Sequence, residues 1–144
     1  KNLRRRTCNK PLGVYCGIVS ARTIGGVMAE QATRGVVFQV AESDPGKIAA
    51  AVRNVNNVLA TLGSETPIEV VAHGEGIVAI LAESSFAPEI TALVANGVVI
   101  SACANTLERK SLPESALVEG TSTVPSGIAE LVQKQWAGWA YIRP

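Results

Sequence analysis

Cys103 is the residue of this sequence best suited to chemistry, and His73 is the next. Cys103 is the only cysteine after residue 16, and His73 is the only histidine. A thiolate is both a nucleophile and a sulfur carrier, and its pKa falls beside an imidazolium or at a helix amino terminus. Ala104-Asn105-Thr106 follows the thiol and can open such a helix. A free cysteine also serves as a small buried filler, and a histidine in a loop often just bonds a backbone carbonyl. One histidine and one cysteine cannot complete a three- or four-ligand zinc site within a single chain. Gly74-Glu75-Gly76 lacks the full dinucleotide fingerprint and reads as a tight strand-to-helix turn. The sequence therefore points to no cofactor and no metal.

These residues need strands to hold them. Gly97 to Leu107 is an apolar run that breaks into small and polar residues at the thiol, so Cys103 ends a buried strand. Gly35–Ala41 and Pro67–Gly74 read as two more strands, the second ending at His73. Asp44-Pro45 opens a helix. Ile48, Val52, Val55, Leu59 and Leu62 form its apolar face, and Gly63 stops it. Asn56 lies near that stripe, where an inward polar residue needs a hydrogen-bond partner. Residues 75–84 and 88–96 read as helices and 113–117 as a helical turn. Thr121–Val124 reads as a short strand before a Pro125-Ser126-Gly127 turn. Ile128, Leu131, Val132, Gln135 and Trp136 mark a helix, and Trp139–Ile142 a last strand. Trp136 and Trp139 suit core packing or a subunit interface.

Strands alternating with helices at this spacing predict an α/β fold: three layers, α/β/α, around a mostly parallel sheet of about five strands. In such a sheet the strand ends at Ser43, His73 and Cys103 share the carboxyl edge, where ligand sites collect. Topology alone thus brings the imidazole and the thiol to one side.

The 144 residues fit one domain with a substantial core, and the chain divides unevenly by charge. Residues 1–29 hold six basic side chains, Lys1 to Arg22, and no acid. Residues 30–144 hold seven basic residues against twelve acids, which argues against a nucleic-acid partner. The first segment reads as a targeting leader or an arm: a basic stretch, a moderately apolar one, then Val27-Met28-Ala29 as a cleavage site. Arg5-Arg6 matches the arginine pair of twin-arginine signals without the apolar residues that usually follow. Cleavage places the protein in the periplasm or outside the cell, and retention places it in the cytoplasm. Leu12–Met28 is too short and glycine-rich for a membrane span.

Ala102-Cys103-Ala104-Asn105-Thr106-Leu107, Val71 to Ile77, Val124-Pro125-Ser126-Gly127 and the closing Gln135 to Pro144 resemble the DsrE/DsrF-like family over about residues 35–144. Val118-Glu119 departs from it, since a Leu-Pro pair is common there. The resemblance implies a homo-oligomer, a trimer or hexamer, and a cysteine that carries sulfur as a persulfide. That cysteine corresponds to Cys103; His73 stands beside it by topology alone. The partners implied are sulfur donors and acceptors, proteins or small thiols. The expected function is a small sulfur relay, with sulfurtransferase activity if the thiol turns over. The alternative is an oligomeric small-ligand-binding or structural protein with a non-catalytic Cys103. A hydrolase built on Cys103 and His73 ranks third, because no orienting acid is evident.

Overall fold

Five parallel strands form one sheet in the order β4-β3-β2-β1-β5 in a computed structural model that describes residues 34–144. β1 spans Val36–Val40, β2 Ile68–Ala72, β3 Val99–Cys103, β4 Ser122–Val124 and β5 Ala140–Ile142. The proposed leader at 1–29 lies outside the described residues. Among the described residues, no helix is long and apolar enough to cross a membrane.

The connections decide which face each helix covers. The chain steps from β1 to β4 in one direction across the sheet. Right-handed crossovers then keep α1 (Pro45–Leu62) and α2 (Ala87–Ala95) on one face. From β4 it returns past three strands to β5, so α4 (Gly127–Trp136) lies on the other. The first face holds the large core: Phe38, Val70 and Ile100 from the sheet against Ile48, Val55, Ile90 and Leu93 from the helices. The second holds only Val37, Val71, Leu131 and the half-buried Trp139.

Local chemistry accounts for most boundaries. Asp44 caps α1, its carboxylate accepting the Lys47 amide at 2.9 Å, and Pro45 follows. Gly63 ends the helix at φ 91°. Two expectations are corrected. The segment after His73 is a 3-10 helix, Gly74–Ile80, shorter and tighter than the helix expected over 75–84. It is pressed onto the end of β1, where a side chain at Gly76 would put Cβ 2.3 Å from the Val40 carbonyl oxygen. Asn56 is exposed rather than inward, because α1 buries only Ile48, Ala51 and Val55 fully.

α4 is fastened by charge. Glu69 on β2 is 2% exposed, and its carboxylate accepts the Ser101 hydroxyl at 2.6 Å. Lys134 of α4 places Nζ 2.6 Å from the other carboxylate oxygen and 4.3 Å from the Trp139 ring centroid. Burial opposes the charge on Lys134, but Glu69 and Glu130 outweigh it and raise the ammonium pKa. That raised pKa stabilises the fold fully below the unfolded lysine value and is lost as pH climbs through the folded one. Lys134→Met strands the Glu69 carboxylate. Removing one partner of a fully buried pair costs roughly 3–5 kcal/mol; here about 2 is expected, since Lys134 keeps partial contact with water. Pairing it with Glu69→Leu should recover most of the loss. Urea midpoints for the single and double variants measure both effects, and an unshifted single variant refutes the anchoring role.

Candidate functional site

Cys103 is the last residue of β3 and the residue before α3 (Ala104–Arg109). It lies on the α4 side of the sheet. α4 begins at the same level, because Ser126 caps it directly after the short β4, its hydroxyl accepting the Ala129 amide at 3.4 Å. Gly127 is consequently pressed over both strand ends. A Cβ there would lie 3.1 Å from that of His73, 3.2 Å from that of Cys103 and 3.2 Å from Val71 Cγ1. The expected meeting of histidine and thiol on one edge therefore occurs, with a glycine lid across both.

The thiol is 6% exposed, less open than a carrier's sulfur is expected to be. Burial is the strongest influence on it and disfavours the thiolate. Four hydrogen bonds oppose burial: from the Thr106 hydroxyl and from the amides of Gly127, Thr106 and Asn105. Together they win, and the pKa lies below the ordinary thiol value. Thr106 is itself held in place, 2% exposed, its hydroxyl oxygen accepting the Gly74 amide at 3.1 Å.

His73 has another role. Burial, and then the positive charge of Arg143, lower its pKa, so the ring is neutral near pH 7. Its Nε2 lies 2.7 Å from Nε2 of Gln39, whose amide can only donate, so the ring accepts there and carries its proton on Nδ1. The Tyr141 hydroxyl donates to the Gln39 oxygen, completing a Tyr141–Gln39–His73 chain. A neutral imidazole supplies no positive charge to the thiol. The Thr106 hydroxyl and the amides, not an imidazolium, favour the thiolate.

Sequence reading missed Gln39, Tyr141, Thr106 and Gly127 as parts of this site. The signal for Gly127 was present: Ser126-Gly127 after an apolar strand marks a helix start at the edge that also carries Cys103. Gln39 gave a fainter one, a lone amide inside the Val36–Val40 run.

Two substitutions test this account. Gly127→Ala pushes the α4 amide off the thiol, and Thr106→Val removes a donor. Each should move the pH midpoint of Cys103 alkylation upward by about one to two units, in line with one lost hydrogen bond to a charged group. His73→Ala should leave the midpoint within about 0.3 units, a shift worth about 0.4 kcal/mol. Iodoacetamide rates between pH 5 and 10 measure all three. An upward shift on His73→Ala as large as those expected of the other two, or none on the other two, overturns it.

Comparison with known proteins follows the same lines. The DsrE/DsrF-like family model matches residues 35–144. Among solved structures, a protein of unknown function, MTH1491 from Methanobacterium thermoautotrophicum, is 36% identical with a TM-score of 0.74, covering 77% of this chain and 99% of its own. The ychN protein from E. coli shares the fold at 12% identity and a TM-score of 0.63, over 76% of this chain and 99% of its own. Comparison with curated proteins gives no match. The span of the family match and the 36% identity over 77% of the chain agree: the chain belongs to the DsrE/DsrF-like family.

Proposed function

We propose that this protein is a small sulfur carrier that holds sulfane sulfur as a persulfide on Cys103. The observation that carries the reading is the thiol's set of four hydrogen-bond donors, which favours the thiolate in spite of burial. Membership in the DsrE/DsrF-like family supports it. In the forward step the Cys103 thiolate attacks the outer sulfur of a donor RSSH. A new S–S bond forms, the donor S–S bond breaks, and R leaves as its thiolate. An acceptor thiolate then attacks the outer sulfur of the Cys103 persulfide and regenerates the Cys103 thiolate. Neither step needs an oxidant or a cofactor. The amides of Gly127, Thr106 and Asn105 stabilise the anion at both ends of the cycle. His73 contributes as a neutral wall of the pocket held by Gln39. Self-association as a trimer or hexamer, and export with loss of residues 1–29, remain part of this proposal.

The second reading is a small-ligand-binding protein with a structural Cys103. It is favoured by the 6% exposure of the thiol and by an open cleft of about 380 Å³ lined by Ser43, Ile48, Leu81, Glu83, Ser84 and Phe86.

Intact mass measurement after incubation with a sulfane donor separates the two. The wild type should gain mass in steps of one sulfur atom, and a reducing thiol should remove it. Cys103→Ser should gain nothing and stay folded. A folded wild type that gains no sulfur, with Cys103 inert to alkylation until denatured, leaves the second reading standing.

A further inference from the structure

His73 keeps one hydrogen-bond donor that the fold does not use. Its Nε2 accepts from the Gln39 amide at 2.7 Å, so the ring proton sits on Nδ1. Among the described residues no group accepts that proton. The charged side chains nearby are engaged elsewhere: Glu75 gives both carboxylate oxygens to Lys110, and Arg143 pairs with Glu42. The tautomer is set from a distance. The Tyr141 hydroxyl donates to the Gln39 oxygen, which turns the amide nitrogen toward the ring. Side chains from β5, β1 and the end of β2 thus combine to hold one neutral N–H in place.

The neighbour of that N–H is Cys103. Ala72 pairs with Ala102 in the parallel register of β2 and β3, so His73 and Cys103 stand next along the two strands. Their Cβ atoms lie 3.1 and 3.2 Å from the point that a Gly127 Cβ would occupy, and glycine keeps the gap between them clear. Around Sγ the donors of Thr106, Asn105 and Gly127 are already in place. A persulfide adds a second sulfur about 2.05 Å beyond Sγ, and the anionic charge then sits on that outer atom. The donors at Sγ come from α3 and α4, which leaves the outer sulfur the side of β2. We infer that Nδ1–H of His73 is the hydrogen-bond donor to the outer sulfur of the Cys103 persulfide, and that Gln39 and Tyr141 are positioning residues that keep the proton on Nδ1. The inference rests on the sulfur-carrier reading. When the Cys103 thiolate takes the outer sulfur of RSSH, the S–S bond of the donor breaks. The departing RS⁻ is a stronger base than a persulfide and takes that sulfur's proton. The Cys103 persulfide anion remains, and the neutral ring donates a hydrogen bond to it without giving up its own proton. The acceptor thiolate then approaches an outer sulfur whose charge is partly offset. Its attack breaks the bond to Sγ, the electron pair returns to Sγ, and the acceptor leaves as a persulfide anion.

His73 is the only histidine, so its ring gives a unique pair of signals in the nitrogen-15 NMR spectrum of the labelled full chain. In the thiol form the proton should be on Nδ1. Tyr141→Phe should move it to Nε2, because the freed Gln39 amide turns its oxygen to the ring. On protein loaded by a sulfane donor, iodoacetamide modifies the outer sulfur, and a reducing thiol releases that adduct but not one on Sγ. Mass measurement therefore follows the persulfide apart from the thiol. The pH midpoint of persulfide alkylation should rise by about one unit in His73→Ala and in Tyr141→Phe. That is the low end for one lost hydrogen bond to a charged group, since water reaches the half-buried ring. The thiol midpoint of both variants should stay within about 0.3 units, which a general disturbance of the pocket would not allow. A wild type that takes up no sulfur removes the carrier reading and this assignment together. A wild type that loads, with its ring proton on Nε2, with an unmoved persulfide midpoint in His73→Ala, or with equal shifts of thiol and persulfide, overturns the assignment alone. A Tyr141→Phe ring still protonated on Nδ1 overturns the positioning role.

Discussion

The ion pair between Glu69 and Lys134 is the constraint from which the second face of this fold follows. Among the described residues one helix alone covers that face, because only the return from β4 to β5 crosses it. Its apolar contacts are few, centred on Val37, Val71 and Leu131. A small apolar cluster tolerates rotation and sliding of the helix, whereas a buried carboxylate with a single counter-charge does not. Glu69 therefore sets the register of α4, and Trp139 holds the lysine in line from the side. The cost of desolvating both charges is the reason such pairs do more for specificity than for net stability.

The register of α4 then sets the chemistry at its other end. With Lys134 fixed, Gly127 falls over the ends of β2 and β3, where a Cβ would lie 3.1–3.2 Å from its neighbours and force them apart by a few tenths of an ångström. Its amide joins those of Asn105 and Thr106 around the sulfur of Cys103. Backbone donors hold a thiolate without bringing a second titrating group into the pocket. The titration of the thiol is thereby separated from that of His73, whose pKa burial and Arg143 lower. Arg143 and Lys47 both pair with Glu42 at the adjoining edge, and the glutamate pKa is lowered by the same contacts.

The same ion pair accounts for the odd surface of α4. A helix that turns its charges inward to meet Glu69 has only apolar and amide side chains left for the outside. The polarity of β2 and the exposure of Trp136 are two consequences of one arrangement. Anchoring and the thiol environment meet on a ten-residue helix.

The sequence by itself determined the alternation of elements, the cap and stop of α1, and the parallel sheet. Each rests on local chemistry: Asp44-Pro45, Gly63, and short aliphatic runs with glycine or proline at their ends. It also placed Cys103 and His73 on one edge, since strand ends in a parallel sheet must gather there. Family membership was legible too, through the Cys103 segment and the closing residues. Tertiary structure alone decided what surrounds the thiol. Gly127 is 24 positions from Cys103, and Gln39 is 34 from His73. Such pairs meet only through strand order and crossover handedness, which leave no local trace. The 3-10 turn at Gly74–Ile80 and the outward Asn56 were hidden for a related reason, because both depend on how closely a neighbouring strand or helix approaches. Above all, periodicity placed Ile128, Val132 and Trp136 on a helix without saying which side would face the sheet. That choice belonged to Glu69, a residue 65 positions from Lys134, whose buried charge drew the lysine inward and turned the tryptophan out.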